Sequence, residues 1–347
     1  MTSDAAPLLP RSAPAGEGWS AASAWVRAAD GTTRCEEVRA SSRRFDLASL
    51  TKAFVAVTAL TVVDEGLLDL DAPVREHLDV AAVRGDVTAR HLLTHTAGLR
   101  AVSDAWRTAT TPSSVLDDVL GTAPVEAPGT VHRYSCLGFV VAGLLLEEVT
   151  GTPLDRLVAG RVAGPLGTAV RWAPLPSDDA VPTEPGTPTG RVHDELAAAL
   201  ARPVGNAGLF GTVDDVARLA LLVAREGAVE GRQVLSRDRW RELVEPDPVA
   251  RAAGAGYGQA VGLRRGDPRS CVHDDQVGHT GFTGTSFVVD LRSGGCGVLL
   301  TDRVHGGRDG TDVDDRRRRV AALAAGPAGD GSDATRRVRS SSGKSPN

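Results

Sequence analysis

The chain has 347 residues and a formal net charge of −5, so it carries no basic field for a phosphate backbone, and general nucleic-acid binding is excluded. With 41% hydrophobic and 24% charged residues, it can bury one large core or two closely packed ones, which excludes a disordered chain. No apolar run reaches membrane-spanning length, no secretory signal pattern is read, and Cys35, Cys136, Cys271 and Cys296 lack C-x-x-C or zinc-type spacing, which together predict a cytoplasmic protein with free thiols.

Residues 1–17 are Pro-, Ala- and Ser-containing and are expected to be flexible. Ser20 to Arg27 and Thr33 to Arg39 flank Asp30-Gly31 and predict a β-hairpin. From Ser49 to Glu65 the chain is mostly apolar and closes on Gly66, which predicts a buried helix with a glycine stop. Ser49 and Lys52 lie three apart at its opening and so share one helical face. A serine hydroxyl becomes a useful nucleophile when a neighbour takes its proton, and a lysine does so only if burial or nearby charge lowers its pKa. S-x-x-K arises by chance in many chains, but usage sharpens it. Of 39 basic residues only Lys52 and Lys344 are lysines, and Lys344 lies in a low-complexity tail. Arginine does not lose its proton in a protein, so a site needing a titratable amine cannot use the residue favoured elsewhere in this chain.

Leu67 to Val74 has a loop signature, and a short helix is expected from Thr88, ending at Gly98. His91 and His95 have the i, i+4 spacing of helical metal ligands, but the Glu of H-E-x-x-H and a third ligand are missing, so both are read as structural. Tyr134 precedes an apolar helix from Leu137 to Val149 that Gly151 ends, and the chain has only one other tyrosine, Tyr257. Residues 173–190 are rich in Pro, Thr and Asp and read as a long loop and the best internal boundary. A helix is expected from His193. The glycine-rich run 205–211 lacks phosphate-loop spacing and reads as a turn, leading to a capping box at Thr212 and a helix from Val213 to about Glu226. Strand patterns run from Tyr257 through residues 278–290 and 297–301. Small residues in Gly278-His279-Thr280-Gly281 let a backbone approach a ligand closely. A helix follows from about Asp312 to Ala325, and residues 326–347 are too polar to pack and are expected to be disordered.

Three ordered stations, Ser49-Leu50-Thr51-Lys52, Tyr134-Ser135-Cys136 and His279-Thr280-Gly281, together with Leu92-Leu93-Thr94-His95-Thr96-Ala97-Gly98-Leu99, resemble the penicillin-binding-protein and class C β-lactamase superfamily in its esterase-like branch, over residues 18–325. The resemblance implies an α+β fold: an antiparallel sheet flanked by N- and C-terminal helices, with an inserted helical domain. The sheet-bearing part would be residues 18–48 and 191–325, the helical part 49–172, and the loop 173–190. It also implies roles. Ser49 would be acylated, Lys52 and Tyr134 would share proton transfer, and the N–H groups of Ser49 and Phe282 would form the oxyanion hole. Cys136, His279, Thr280 and Gly281 would meet the substrate. His279 stands where the lactamases carry a lysine, so its charge at neutral pH depends on its surroundings. Cys136 replaces the usual Asn or Asp, and a thiol is a weak hydrogen-bonding group.

The expected activity is acyl transfer from a small ester or amide, with no cofactor, metal, nucleic acid or membrane, by a monomer or homodimer. A non-catalytic or weakly acylating sensor is the alternative. An α/β-hydrolase is excluded because no G-x-S-x-G elbow is present.

Overall fold

The computed structural model describes residues 7–9, 19–309 and 312–326. The hairpin forms as expected: Ala22–Arg27 (β1) pairs antiparallel with Thr33–Val38 (β2) across a turn in which Gly31 has φ 86°. Gly258–Gln259 (β3), Arg264–Arg265 (β4), Gln276–Thr280 (β5), Ser286–Asp290 (β6) and Cys296–Thr301 (β7) complete a sheet of order β2-β1-β7-β6-β5-β4-β3. Every adjacent pair in it is antiparallel. β1 is therefore an inner strand, with Ala22 opposite Thr301 and Arg27 opposite Cys296 of β7.

Successive side chains on a strand point to opposite faces, and here both faces are apolar because both are covered. Val298 and Leu300 of β7, with Phe287 and Val289 of β6, join the large core shared with Val213–Ala224 (α3), whereas Leu299 and Val288 turn to the opposite face, where Val320, Ala321 and Ala324 of Asp314–Ala325 (α4) pack. Thr212 caps α3 through the expected box with Asp215.

The nucleophile helix, Thr51–Asp64 (α1), has no polar face. Every residue from Thr51 to Val62 is buried, as for a helix enclosed on all sides. Fully burying residues such as Phe54 and Leu60, each 0% exposed, stabilises the fold by about 1.5–3 kcal/mol apiece. The second long apolar helix, Cys136–Thr150 (α2), is capped by Ser135, whose Oγ accepts from Gly138 N–H at 3.1 Å, and stops at Gly151 with φ 62°.

Some boundaries differ from expectation. The helix expected at His193 starts at Glu195, because Asp194 is its N-cap and accepts from Ala197 N–H. The helix after Thr88 ends at Leu93, well short of Gly98, because His95 takes φ 61°. Helices Pro112–Gly121 and Arg237–Val244 were not anticipated, although Thr111 and Ser236 cap them and mark their starts. The 173–190 stretch contains a single 3₁₀ turn, Ser177–Asp179, and is tied to the strand region by Arg44 N–H to Asp179 O and Val181 N–H to Arg44 O, both 2.8 Å. Among the described residues no single helix is long and apolar enough to cross a membrane.

Candidate active site

Ser49 sits in a 3₁₀ turn, Ala48–Leu50, that runs directly into α1, with Ala48 in the left-handed region at φ 47°. One turn on, Lys52 Nζ lies 3.0 Å from Ser49 Oγ. Lys52 is 0% exposed, and its ammonium also donates to Asn206 O at 2.8 Å and faces Cys136 Sγ at 3.6 Å. An ammonium has three N–H donors, and these partners, with the Tyr134 side chain as a further one, surround it. The sequence argument asks for a lowered lysine pKa, and the structure reverses it. Burial pulls the ammonium down, but the Cys136 thiol and the Tyr134 phenol, with Asp194 beyond, outweigh burial and raise it. Lys52 is therefore held as a cation.

Tyr134 stands over this cation, with Lys52 Nζ 5.1 Å from its ring centre and the Arg264 guanidinium 4.7 Å away. His95 packs against the same ring at 4.4 Å, and its Nδ1 accepts from Ser135 N–H at 3.1 Å. Burial, then Arg264 and Lys52, hold the His95 pKa well below the usual histidine range, which keeps the ring neutral and Nδ1 free to accept. His91 turns instead to Thr88 in a capping box. The two histidines thus have separate structural duties.

A cavity of about 400 Å³ opens onto Ser49, with Tyr134, Tyr257, Arg264, Thr280, Gly281 and Phe282 in its wall. Cys136 and His279 are not among the lining residues. Cys136 is 8% exposed and turned toward Lys52, and burial pushes its thiol pKa up, so it is a neutral, space-filling group. His279 is 2% exposed and its Nδ1 lies 2.9 Å from Thr280 O; burial, then Arg264 and Lys52, hold its pKa well below the usual range. The surroundings on which its charge depends thus hold His279 neutral. The fixed cations in the wall are arginines, Arg264, Arg269, Arg303 and Arg317; Arg264 Nη1 reaches Asp267 and Thr280 Oγ1, each at 3.2 Å.

The loop after β5 is pressed against the nucleophile turn. A Cβ on Gly281 would fall 2.1 Å from Thr285 Oγ1 and 2.7 Å from Leu47 O, so only glycine allows the approach. Arg317 of α4 holds the loop from behind, with Nη2 on Gly281 O at 2.9 Å and Thr285 O at 3.2 Å. The peptide N–H groups of Ser49 and Phe282 make no backbone hydrogen bond to another described residue, and both residues line the cavity.

Arg264, Arg317 and Asn206 are not among the site residues expected from the sequence. Asn206 does lie in the glycine-rich run 205–211 that reads as a turn. A Cβ on the adjacent Gly205 would fall 2.0 Å from Phe139 O, so glycine is needed to bring the Asn206 carbonyl to Lys52. Arg317 lies in the run Arg316 to Arg319, and nothing in that run marks it as buried.

Fold and site together define a serine hydrolase of the acyl-transferring kind. The chain belongs to the beta-lactamase family, whose sequence pattern matches residues 16–322. It is 32% identical to "Esterase EstB" of Burkholderia gladioli, over 77% of this chain and 79% of that protein. A "Putative D-alanyl-D-alanine carboxypeptidase" of Escherichia coli O157:H7 is 28% identical, over 75% of this chain and 69% of its own length. Among solved structures, "EstCE1, a hydrolase with promiscuous acyltransferase activity" superposes with a TM-score of 0.68 at 21% identity, covering 89% of this chain and 95% of that one.

Proposed function

We propose that the protein hydrolyses or transfers the acyl group of a small ester or amide through an acyl-enzyme on Ser49. The observation that carries this reading is the 3.0 Å contact between Ser49 Oγ and a fully buried Lys52 at the base of the cavity. Lys52 acts as the electrostatic partner, and Tyr134 relays the proton: its oxygen accepts the Ser49 proton as its own O–H proton passes to the leaving alcohol or amine. The attacked carbonyl oxygen develops negative charge between the N–H groups of Ser49 and Phe282, each such donor being worth about 3–4 kcal/mol of barrier. Water or another nucleophile then releases the acyl group by the reverse relay. The esterase relative supports ester substrates; the carboxypeptidase-named relatives support amides.

Tyr134→Phe removes only the hydroxyl and is expected to lower kcat on the order of 10²-fold or more, the usual scale for a positioned acid-base group. Single-turnover acylation rates check it, and a rate within threefold or so of wild type would remove Tyr134 from the proton path.

Substrate choice turns on Cys136. Arg264 supplies a permanent cation for a substrate carboxylate, so the feature that disfavours a β-lactam is that the short Cys136, buried beside Lys52 and outside the cavity wall, presents no amide to bond its acylamino group, whereas the longer Asn side chain would reach the wall. The wild type is expected to prefer p-nitrophenyl butyrate over nitrocefin in kcat/KM. Cys136→Asn is expected to shift that ratio toward nitrocefin by about 2- to 10-fold, the worth of one hydrogen bond. A wild type that favours nitrocefin, or a ratio that Cys136→Asn leaves unmoved, rules this out.

A further inference from the structure

Asp46, three residues before the nucleophile, is a buried carboxylate, 2% exposed, that the reaction above does not use. Its Oδ1 accepts from Ala48 N–H at 2.8 Å, its Oδ2 accepts from His193 N–H at 2.7 Å, and its backbone carbonyl accepts from Thr283 Oγ1 at 2.8 Å. Three separate segments thus meet on one residue: the Ser49 turn, the loop entering the Glu195 helix, and the loop carrying Phe282. The link closes on the far side. The His193 ring stacks on the Phe282 ring at 5.6 Å with planes 22° apart, and the Arg303 guanidinium lies 4.9 Å from the centre of the same ring. Ala48 at φ 47° is a conformation an alanine rarely holds without outside support, and the Asp46 bond to its N–H provides that support.

Resting on Ser49 as the acylated residue, we propose that Asp46 is a positioning residue, whose carboxylate holds the Ser49 turn and, through His193, the Phe282 loop in the relative placement the oxyanion requires. Only a carboxylate can do this. Both bonds are accepted from N–H groups, whereas an asparagine in the same place offers one acceptor and turns its NH₂ against the other N–H.

The same geometry makes the lock sensitive to acid. Burial raises the Asp46 pKa to about 6, against the His193 and Ala48 hydrogen bonds that lower it. The ionisable groups facing it are His193, whose ring meets Glu184, and Asp194, which opposes its charge. Protonating either oxygen sets an O–H against an N–H, so the lock is intact above pH 6 and opens as the pH falls through it.

The test compares wild type with Asp46→Asn on p-nitrophenyl butyrate from pH 5 to 8. The expected result is a kcat lower on the order of 10²-fold at pH 8, the scale of a small misplacement of reacting groups, with KM changed less than about threefold. The acidic limb of kcat/KM near pH 6 is expected in the wild type and absent in the variant. A variant with wild-type kcat, or one that loses activity while keeping the limb, overturns the proposal. Should Asp46→Asn fail to fold, the wild type still decides. The amide resonances of Ala48 and His193 are expected to titrate together with the midpoint of the activity limb, and resonances that stay fixed between pH 5 and 8 overturn the idea. Fluorophosphonate labelling of wild-type Ser49 is run alongside: without it, the acyl-enzyme reading itself fails.

Discussion

Ser49→Ala is expected to abolish covalent labelling by a fluorophosphonate and to cut ester turnover on the order of 10⁴-fold or more, the residue being the atom that forms the bond. The substitution is mild for the fold. The Ser49 hydroxyl touches Lys52 Nζ, which keeps Asn206 O at 2.8 Å and Cys136 Sγ at 3.6 Å after the change. Ser135, the serine beside Tyr134, does not replace it: it spends its hydroxyl on Arg100 O at 2.6 Å and on capping α2. Intact-mass spectrometry reads the outcome directly. A labelled Ser49→Ala protein would show that the nucleophile lies elsewhere.

Lys52→Arg is expected to be nearly as damaging, with a loss on the order of 10³-fold or more in acylation, although it preserves the charge. The three partners of Nζ surround a compact pyramidal ammonium in a fully buried space. A planar guanidinium directs its donors in one plane and is larger, so it cannot meet Ser49 Oγ, the Asn206 carbonyl and the Cys136 sulfur together. Overpacking of this kind typically costs about 1–3 kcal/mol in stability, so labelling is measured on protein whose circular dichroism matches the wild type. Lys52→Arg acylating within tenfold or so of wild type would mean that charge alone suffices and that the geometry around Nζ is incidental.

The Ser49 and Lys52 pair was legible because helical spacing is a local property, and the scarcity of lysine made one of them conspicuous. The hairpin, the capping box at Thr212 and the stop at Gly151 were legible for the same reason: each is decided by residues within a few positions of one another. What escaped was decided by residues far apart. Arg317 meets Gly281 across 36 positions and Asp46 meets His193 across 147, and neither spacing leaves a periodic trace. Charge states escaped too. The Lys52 and His279 pKa directions depend on burial and on neighbours such as Cys136 and Arg264, which only folding brings together. Short helices such as Arg237–Val244 were hidden by their low apolar content, and the cap at Ser236 was their one available sign.

The pairing of β1 with β7 sets a schedule for synthesis. The hairpin leaves the ribosome well before Cys296–Thr301, whose residues lie more than two hundred positions downstream, and its inner strand waits for them before its second edge is covered. The α1 helix, apolar on every side, shares that wait, because the strand carrying Thr280 and the helix carrying Arg317 are also translated late. Long-range pairing of this kind slows folding and leaves sticky surface open meanwhile. A nascent chain halted before residue 296 would therefore hold a complete nucleophile helix with no finished sheet to shelter it, making it a client for chaperones, and catalytic competence would wait until that sheet closes.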